Sequence, residues 1–298
     1  MAKKVVTHSG KYHSDDVFAV ATLELAFPAE ELNIIRTRLP DVIAIGDIVV
    51  DVGGVYDEET FRFDHHQIGG AGKRDNGIPY ASFGLVWKKF GEQITGSKDA
   101  TLLIDAKLVQ PIDAGDNGVE TCVPNESGVA PYTIQTALNA FRSTWKEDIK
   151  NDEVFIGMVA LAKRILSREV EIANSYLEAS EVVRTVYDSS ERKDLLIFGK
   201  DHHFGREVVN DVLSTYPGPM YAVLYGTDQD SWQVVAINKN PMTMEIRRAL
   251  PKTWRGKRDS ELAEASGIAD AIFCHSSGFM AKAKSLEGTI ALAEKALL

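Results

Sequence analysis

Ile48-Val49-Val50-Asp51-Val52-Gly53-Gly54 is the stretch on which the fold turns. Its consecutive β-branched residues predict a buried strand, and the paired glycines predict a tight turn, so a carboxylate stands where the strand stops. Working outward, Lys4–Thr7 reads as a strand that ends the same way in His8, with His13, Asp15 and Asp16 close behind. Val55–Phe63 mixes polar and apolar residues like a β-hairpin and delivers Asp64-His65-His66, while Asp113 and Asp116 lie in Pro111–Gly118. Strand ends tipped with His and Asp, emerging on one edge of a parallel sheet, are where open α/β folds build their sites.

So many carboxylates in one partly buried place repel one another, and a buried charge left unpaired destabilises by about 3–5 kcal/mol. Divalent cations remove that cost. Imidazole mixed with carboxylate, without thiolate, points to a borderline or hard ion: Mn²⁺ is favoured, with Mg²⁺, Zn²⁺ and Fe²⁺ as the other candidates. Roughly five to seven ligands are too many for one ion, and two ions about 3.5–4 Å apart would suit a carboxylate bridge. Asp51 is the candidate bridge. Asp47 precedes the same strand and falls at its opposite end. A site role for His8, His13 and Asp15 competes with capping of the next helix by Ser14 or Asp15, and Asp16 fits a first-turn acid. For Asp113 and Asp116 the competing reading is a solvated turn, with at least one of them expected as a ligand.

The chain has 298 residues, enough for two domains, and a formal net charge of −10, which argues against extended binding to duplex nucleic acid. Short phosphate substrates remain compatible with that charge. No apolar run approaches the roughly 18 residues of a membrane span, the start passes straight into a strand, and Cys122 and Cys274 form no metal or redox spacing. The expected location is cytoplasmic, with no membrane partner and the oligomeric state open.

In order, the sequence predicts strands at 3–8, Leu32–Thr37 and Asp47–Val52, with an amphipathic helix between the first two at Asp15–Phe27 whose stripe is Val17, Phe18, Ala21 and Leu25. A flexible glycine-rich loop follows at Gly69–Gly77. Helices are expected at Tyr80–Ile94, Ala100–Val109, Tyr132–Phe141 and Asp152–Val186, with a loop at Gly118–Pro131. Short strands come next at Leu195–Phe198, Met220–Tyr225, Trp232–Asn238 and Ala271–Cys274, with helices near Arg206, Ser260 and Leu286. The expected fold is α/β: a doubly wound, mainly parallel sheet in domain 1–150, a helical linker at 151–190 and a smaller mixed α/β domain at 191–298.

Arg247, Arg248, Lys252, Arg255, Lys257 and Arg258 form an acid-free stretch with Trp254 inside it. A solvated face is the bland reading, and base stacking by Trp254 with phosphate contact by the arginines is the functional one. His275-Ser276-Ser277-Gly278, ahead of Lys282 and Lys284, is either a tight turn or a place where backbone N–H groups meet an anion. A second Asp-His-His, Asp201–His203, has no carboxylate-tipped strands around it and reads as a helix cap at Asp201 with exposed imidazoles.

Thr7, His8, Gly10, His13 and Asp15, with Asp47–Gly54, Asp64–Gln67, Asp113–Gly118, Trp254–Asp259 and His275–Phe279, give the chain a resemblance to the DHH phosphoesterase superfamily. Within it the chain is similar to the Myg exonuclease family, also called metal-dependent protein hydrolases. The resemblance implies a dinuclear N-terminal domain, a smaller C-terminal domain that closes over substrate, and 3′-to-5′ exonuclease action on RNA. His13 stands where many superfamily members carry Asp, and the glycine-rich run of the C-terminal domain is reduced to Gly278.

On this reading His8, His13 and Asp51 hold one ion, and Asp15, Asp51, His65 and one of Asp113 or Asp116 hold the other. A bridging hydroxide would attack phosphorus, with Asp64 and His66 as the catalytic pair. Trp254, Arg255, His275, Ser277, Gly278 and Lys282 would hold the single-stranded RNA or short oligonucleotide. Two rivals stand beside it: a hydrolase of small phosphates such as a dinucleotide, cyclic dinucleotide or pyrophosphate, and a metal-stabilised nucleotide- or RNA-binding protein without turnover.

Overall fold

Val5, Val6, Ile48, Val49 and Val50 are all buried to within 1% of their surface, and they form the spine of the first of two sheets. The structure, a computed structural model, describes residues 2–148, 151–226 and 230–298. The chain divides into two units, Met1–Ser175 and Tyr176–Leu298. Both are mixed α/β.

The first unit runs β1 (Lys3–Thr7), α1 (Ser14–Ala26), β2 (Leu32–Arg36), α2 (Pro40–Ala44), β3 (Ile48–Val50), β4 (Tyr56–Asp57), β5 (Arg62–Phe63), α3 (Ser82–Thr95) and α4 (Lys98–Ile104). A π-helical turn at Asp105–Val109, α5 (Gln110–Asp116), α6 (Ile134–Asn139) and the long α7 (Asn151–Ser189) complete it, with α7 running on past the division. The sheet order is β2-β1-β3-β5-β4, parallel except for the β4–β5 hairpin. Strand side chains alternate between faces, so Val6 and Val49 meet Ile43 of α2 on one face. Val5, Ile48 and Val50 point to the other.

Three elements differ from the sequence reading. The α1 helix is not amphipathic: every residue from Ser14 to Leu23 is buried, because α1 packs against α3, α5 and α6 as well as the sheet, and Phe18 meets Phe83 at 5.2 Å. The helix expected at Ala100–Val109 extends without a break from Lys98 to Asp116. Pro111 has no N–H to give the helix, and the π-helical turn just before it absorbs the mismatch, so Asp113 and Asp116 lie on a helix and not beyond one. The Gly69–Gly77 loop is pinned. Arg74 N–H donates to Ile78 O at 2.9 Å, Tyr80 N–H donates to Gly72 O at 3.1 Å, and Lys73 bridges Pro79.

The second unit adds β6 (Leu195–Ile197), α8 (Arg206–Leu213), β7 (Tyr221–Gly226), β8 (Ser231–Ala236), α9 (Asp259–Ser266), β9 (Ala271–Cys274), β10 (Met280–Ala283) and α10 (Leu286–Leu297). Its sheet is β6-β7-β8-β10-β9, parallel only at β6–β7. Tyr221, Val223 and Val234 face Leu262 and Leu292, while Leu196, Leu224 and Val235 face Val183, Val208 and Val212. Strand β10 escapes a sequence reading because Met280-Ala281-Lys282-Ala283 carries no β-branched or aromatic side chain. The cap of α8 is Gly205, not Asp201.

Candidate metal centre

His8 and Asp51 are the first residues after β1 and β3, at the carboxyl ends of neighbouring parallel strands. The chain leaves β1 toward β2 and returns on the other side as β3, which opens a crevice between those two strand ends. Asp51 takes φ 56°, a left-handed backbone that a non-glycine residue adopts only where its surroundings enforce it. From there its carboxylate meets four partners: His8 Nε2 at 3.3 Å, His65 Nε2 at 3.4 Å, His66 Nδ1 at 3.5 Å and the Ser82 hydroxyl, which donates at 3.1 Å.

Two helices bring further carboxylates. At the start of α1, Asp15 and Asp16 are both fully buried; Asp16 accepts the His13 backbone N–H at 2.9 Å and lies 3.1 Å from His8 Nε2. His13, and not Ser14 or Asp15, is therefore the N-cap position. At the end of α5, Asp116 reaches His65 Nε2 at 3.1 Å and His13 Nδ1 at 3.7 Å. Asp15 stands 3.9 Å from His65 Nε2.

The imidazole–carboxylate contacts among these are close but not aligned as hydrogen bonds. His8 Nε2, His65 Nε2, both oxygens of Asp15 and one each of Asp16 and Asp51 are buried and make no geometrically proper hydrogen bond. Buried polar atoms are normally satisfied, so this concentration of orphans marks a place shaped for something the side chains share. Donor atoms within 4.8 Å of one another form three groups: His8, His13 and Asp51; Asp51, His65 and His66; and His13, Asp15 and Asp116. A mixed imidazole–carboxylate set of this kind fits a divalent ion, and Asp51 and His13 each belong to two groups.

The electrostatics agree. Burial raises the Asp15 carboxyl well above its usual range, and Asp51, Asp116 and Asp16 raise it further. Burial works against the Asp51 carboxylate too, but His65 and His8 outweigh it and hold it below the usual range. Desolvation would lower the two imidazoles, yet the adjoining carboxylates carry both His8 and His65 up to about 10. Without a metal, the imidazoles supply the positive charge that the cluster needs.

Comparison with known proteins places the chain in a family. Residues 4–297 match the profile of the MYG1 exonuclease family, described as "Uncharacterised protein family (UPF0160)". The chain belongs to that family. It is 33% identical to a MYG1 protein of Caenorhabditis elegans over 100% of this chain and 96% of the relative. It is 31% identical to the MYG1 protein of Dictyostelium discoideum over 98% and 96%, and 30% identical to a human protein named MYG1 exonuclease over 99% and 85%.

Not every candidate residue of this family member joins the cluster. Asp113 is fully buried, but Arg74 Nη1 donates to it at 2.8 Å and the Gly84 backbone N–H at 2.9 Å, so both its oxygens are committed elsewhere. Asp64 accepts the Gly54 N–H at 2.5 Å and the His66 N–H at 3.1 Å, and lies 2.8 Å from the half-exposed His66 ring at Nδ1. It therefore orients His66. Trp254 is 4% exposed and donates its indole N–H to Ala265 O, which rules out base stacking there. The arginines around it also bond backbone: Arg247 to Pro219 O and Ser214 O, Arg248 to Leu297 O, and Arg255 to Leu250 O.

In the second unit, Ser277 N–H donates to His275 Nδ1 at 3.2 Å, which puts a neutral imidazole's proton on Nε2. Gly278 takes φ 76°, and a Cβ there would lie 2.6 Å from Arg255 Nε. Lys282 lies on β10. Sequence reasoning missed Ser82 and Arg74, which look like an ordinary first-turn serine and one cation in a glycine loop. Their partners are too distant in sequence to show.

Proposed function

We propose that this protein is a metal-dependent phosphodiesterase of the DHH type, acting as a 3′-to-5′ exonuclease on RNA or short oligonucleotides. Asp51 carries the proposal: one strained, buried carboxylate shared by two imidazole-containing ligand groups at a sheet switch point. The 2-1-3 strand order around it supports a doubly wound reading of the first unit. The name of the exonuclease relatives supports nucleic acid as substrate.

His8, His13 and Asp51 would hold one ion, and Asp15, Asp51, His65 and Asp116 the other, with Mn²⁺ favoured. Such ions activate water near neutral pH and neutralise charge on a phosphoryl group. Asp64 fixes the His66 ring by accepting from Nδ1–H, and the ring as an imidazolium would donate Nε2–H to a phosphate oxygen. Asp16 holds the α1 entry and faces His8 Nε2. In the second unit, His275 Nε2–H, oriented by Ser277, is a donor for a phosphate, with Arg255 beside Gly278 and Lys282 on the strand paired with β9. Two free thiols, Cys122 exposed and Cys274 buried, suit the reducing cytoplasm in which we place the activity.

The net charge of −10 favours a second reading in which the substrate is a dinucleotide or another small phosphate. End-labelled single strands of graded length, incubated with Mn²⁺, Mg²⁺ or chelator, decide between them. Stepwise mononucleotide release from the 3′ end is the expected result. Full activity in chelator would refute the metal centre, and turnover restricted to dinucleotides would select the second reading.

A further inference from the structure

Among the described residues, the Phe, Tyr and Trp side chains that remain mostly in solvent all fall within one short stretch of the first unit. Tyr132 is 72% exposed, Phe141 54% and Trp145 90%. Large exposed aromatic surface is costly in water and marks a contact surface when it is concentrated. The stretch is not adrift: the Tyr12 hydroxyl donates to Leu138 O at 2.9 Å, the Arg142 guanidinium donates to Tyr12 O, and Gln135 donates to Pro111 O at 2.9 Å. Tyr12 precedes His13, the most exposed imidazole of the ligand groups bar His66, and Pro111 lies on the helix that presents Asp116. The aromatic stretch is thus fastened to the two elements that bring those ligands to the centre.

We infer that Tyr132, Phe141 and Trp145 form a stacking platform for unpaired bases of a single-stranded nucleic acid whose phosphodiester is at the metal centre. The occupant rests on the nuclease reading above. Residues 132–148 carry Arg142 and Lys146 against Glu147 and Asp148, so net charge does not distinguish the stretch, and flat π surface does. Lys146 Nζ sits 5.1 Å from the Trp145 ring, the pairing of cation and aromatic plane that suits a stacked nucleotide. Duplex bases are already stacked and cannot use the platform.

The test is binding without turnover. A fluorescein-labelled decanucleotide, single-stranded or duplex, is titrated with the full chain in chelator and followed by anisotropy. Trp145→Ala should weaken single-strand binding between about fivefold and a hundredfold, the worth of one stacked base. Trp145→Phe should recover most of it, and the salt dependence should not change, because no phosphate contact is lost. Met244→Ala, at a residue 88% exposed in the second unit, is the control and should bind like wild type. Unchanged affinity in Trp145→Ala and Phe141→Ala, or loss of a dimer by light scattering with single-strand affinity intact, would overturn the platform. A protein that binds single strands through Trp145 yet cuts none would instead refute the nuclease reading alone.

Discussion

Asp113 and Asp116 sit one helical turn apart on α5, and their surroundings separate a candidate ligand from a strut. Burial lifts the Asp113 carboxyl to about 7 even though Arg74 and the Gly84 N–H oppose it, so this buried pair is held in place more than it is favoured. Both Asp113 oxygens accept from donors, so asparagine would turn an N–H₂ group against one of them. Asp113→Asn should therefore cost about 1–3 kcal/mol of stability in denaturant unfolding while keeping the metal stoichiometry. Asp116→Asn should do the reverse, losing bound metal by elemental analysis with little change in unfolding; loss of metal in both would return Asp113 to the ligands. The two Asp-His-His triplets divide in the same way. His65 faces Asp15, Asp51 and Asp116, whereas the half-buried His202 ring stacks on Phe204 at 5.5 Å and meets the edge of Phe198 at 6.1 Å. His65→Ala should lose at least about a hundredfold in activity. His202→Ala should cost stability only, and His203→Ala neither, with circular dichroism checking the fold; a dead but folded His202→Ala protein would move the active centre to the second unit.

At the scale of elements, the Arg74 guanidinium joins pieces that carry the centre. It binds Asp105 through both Nε and Nη2 on the π-helical turn, and Asp113 on α5, while Asp113 caps the Gly84 N–H two residues beyond the Ser82 that bonds Asp51. No room is left for a side chain at Gly84, where a Cβ would come 1.8 Å from Asp113 Oδ2. Gly84→Ala should displace the first turn of α3 or the Asp113 carboxylate, costing about 1–3 kcal/mol and weakening Mn²⁺ binding by calorimetry although no ligand is removed. Wild-type affinity in that variant would free the centre from the hub. The strands that frame the site were legible because Ile48–Val50 and Lys4–Thr7 are apolar runs stopped by a polar tip, a signal carried by adjacent residues. Arg74, Ser82 and Trp254 were not legible: one cation in a glycine loop, one serine at a helix start and one tryptophan among arginines look alike whether buried or exposed, and the choice is made by partners far along the chain. The same distance hid the exposure of Tyr132 and Phe141, which the sequence placed at the two ends of a predicted helix, and of Trp145 beyond it.

For the whole molecule, the distribution of the candidate ligands across the division has a consequence for stability. His8, His13, Asp15, Asp51, His65 and Asp116 all belong to Met1–Ser175, whereas Tyr176–Leu298 has its own sheet and two apolar clusters that contain none of them. A ligand stabilises the state that binds it, by about 2.7 kcal/mol at a concentration one hundred times its dissociation constant. Metal at the centre should therefore protect the first unit, because opening β1, β3 or α1 scatters the ligands, whereas opening β7–β8 or α10 does not. Chelation should lower the melting temperature, and hydrogen exchange with and without Mn²⁺ should localise the difference. Peptides covering Val5–Val20, Ile48–His66 and Ile112–Asn117 should slow markedly on metal addition, with those from Tyr221–Ala236 and Leu286–Leu297 unchanged. Equal protection in both units would mean that the metal acts outside the cluster at the β1 and β3 strand ends, and an absence of protection in Ile48–His66 would remove Asp51 from its ligands.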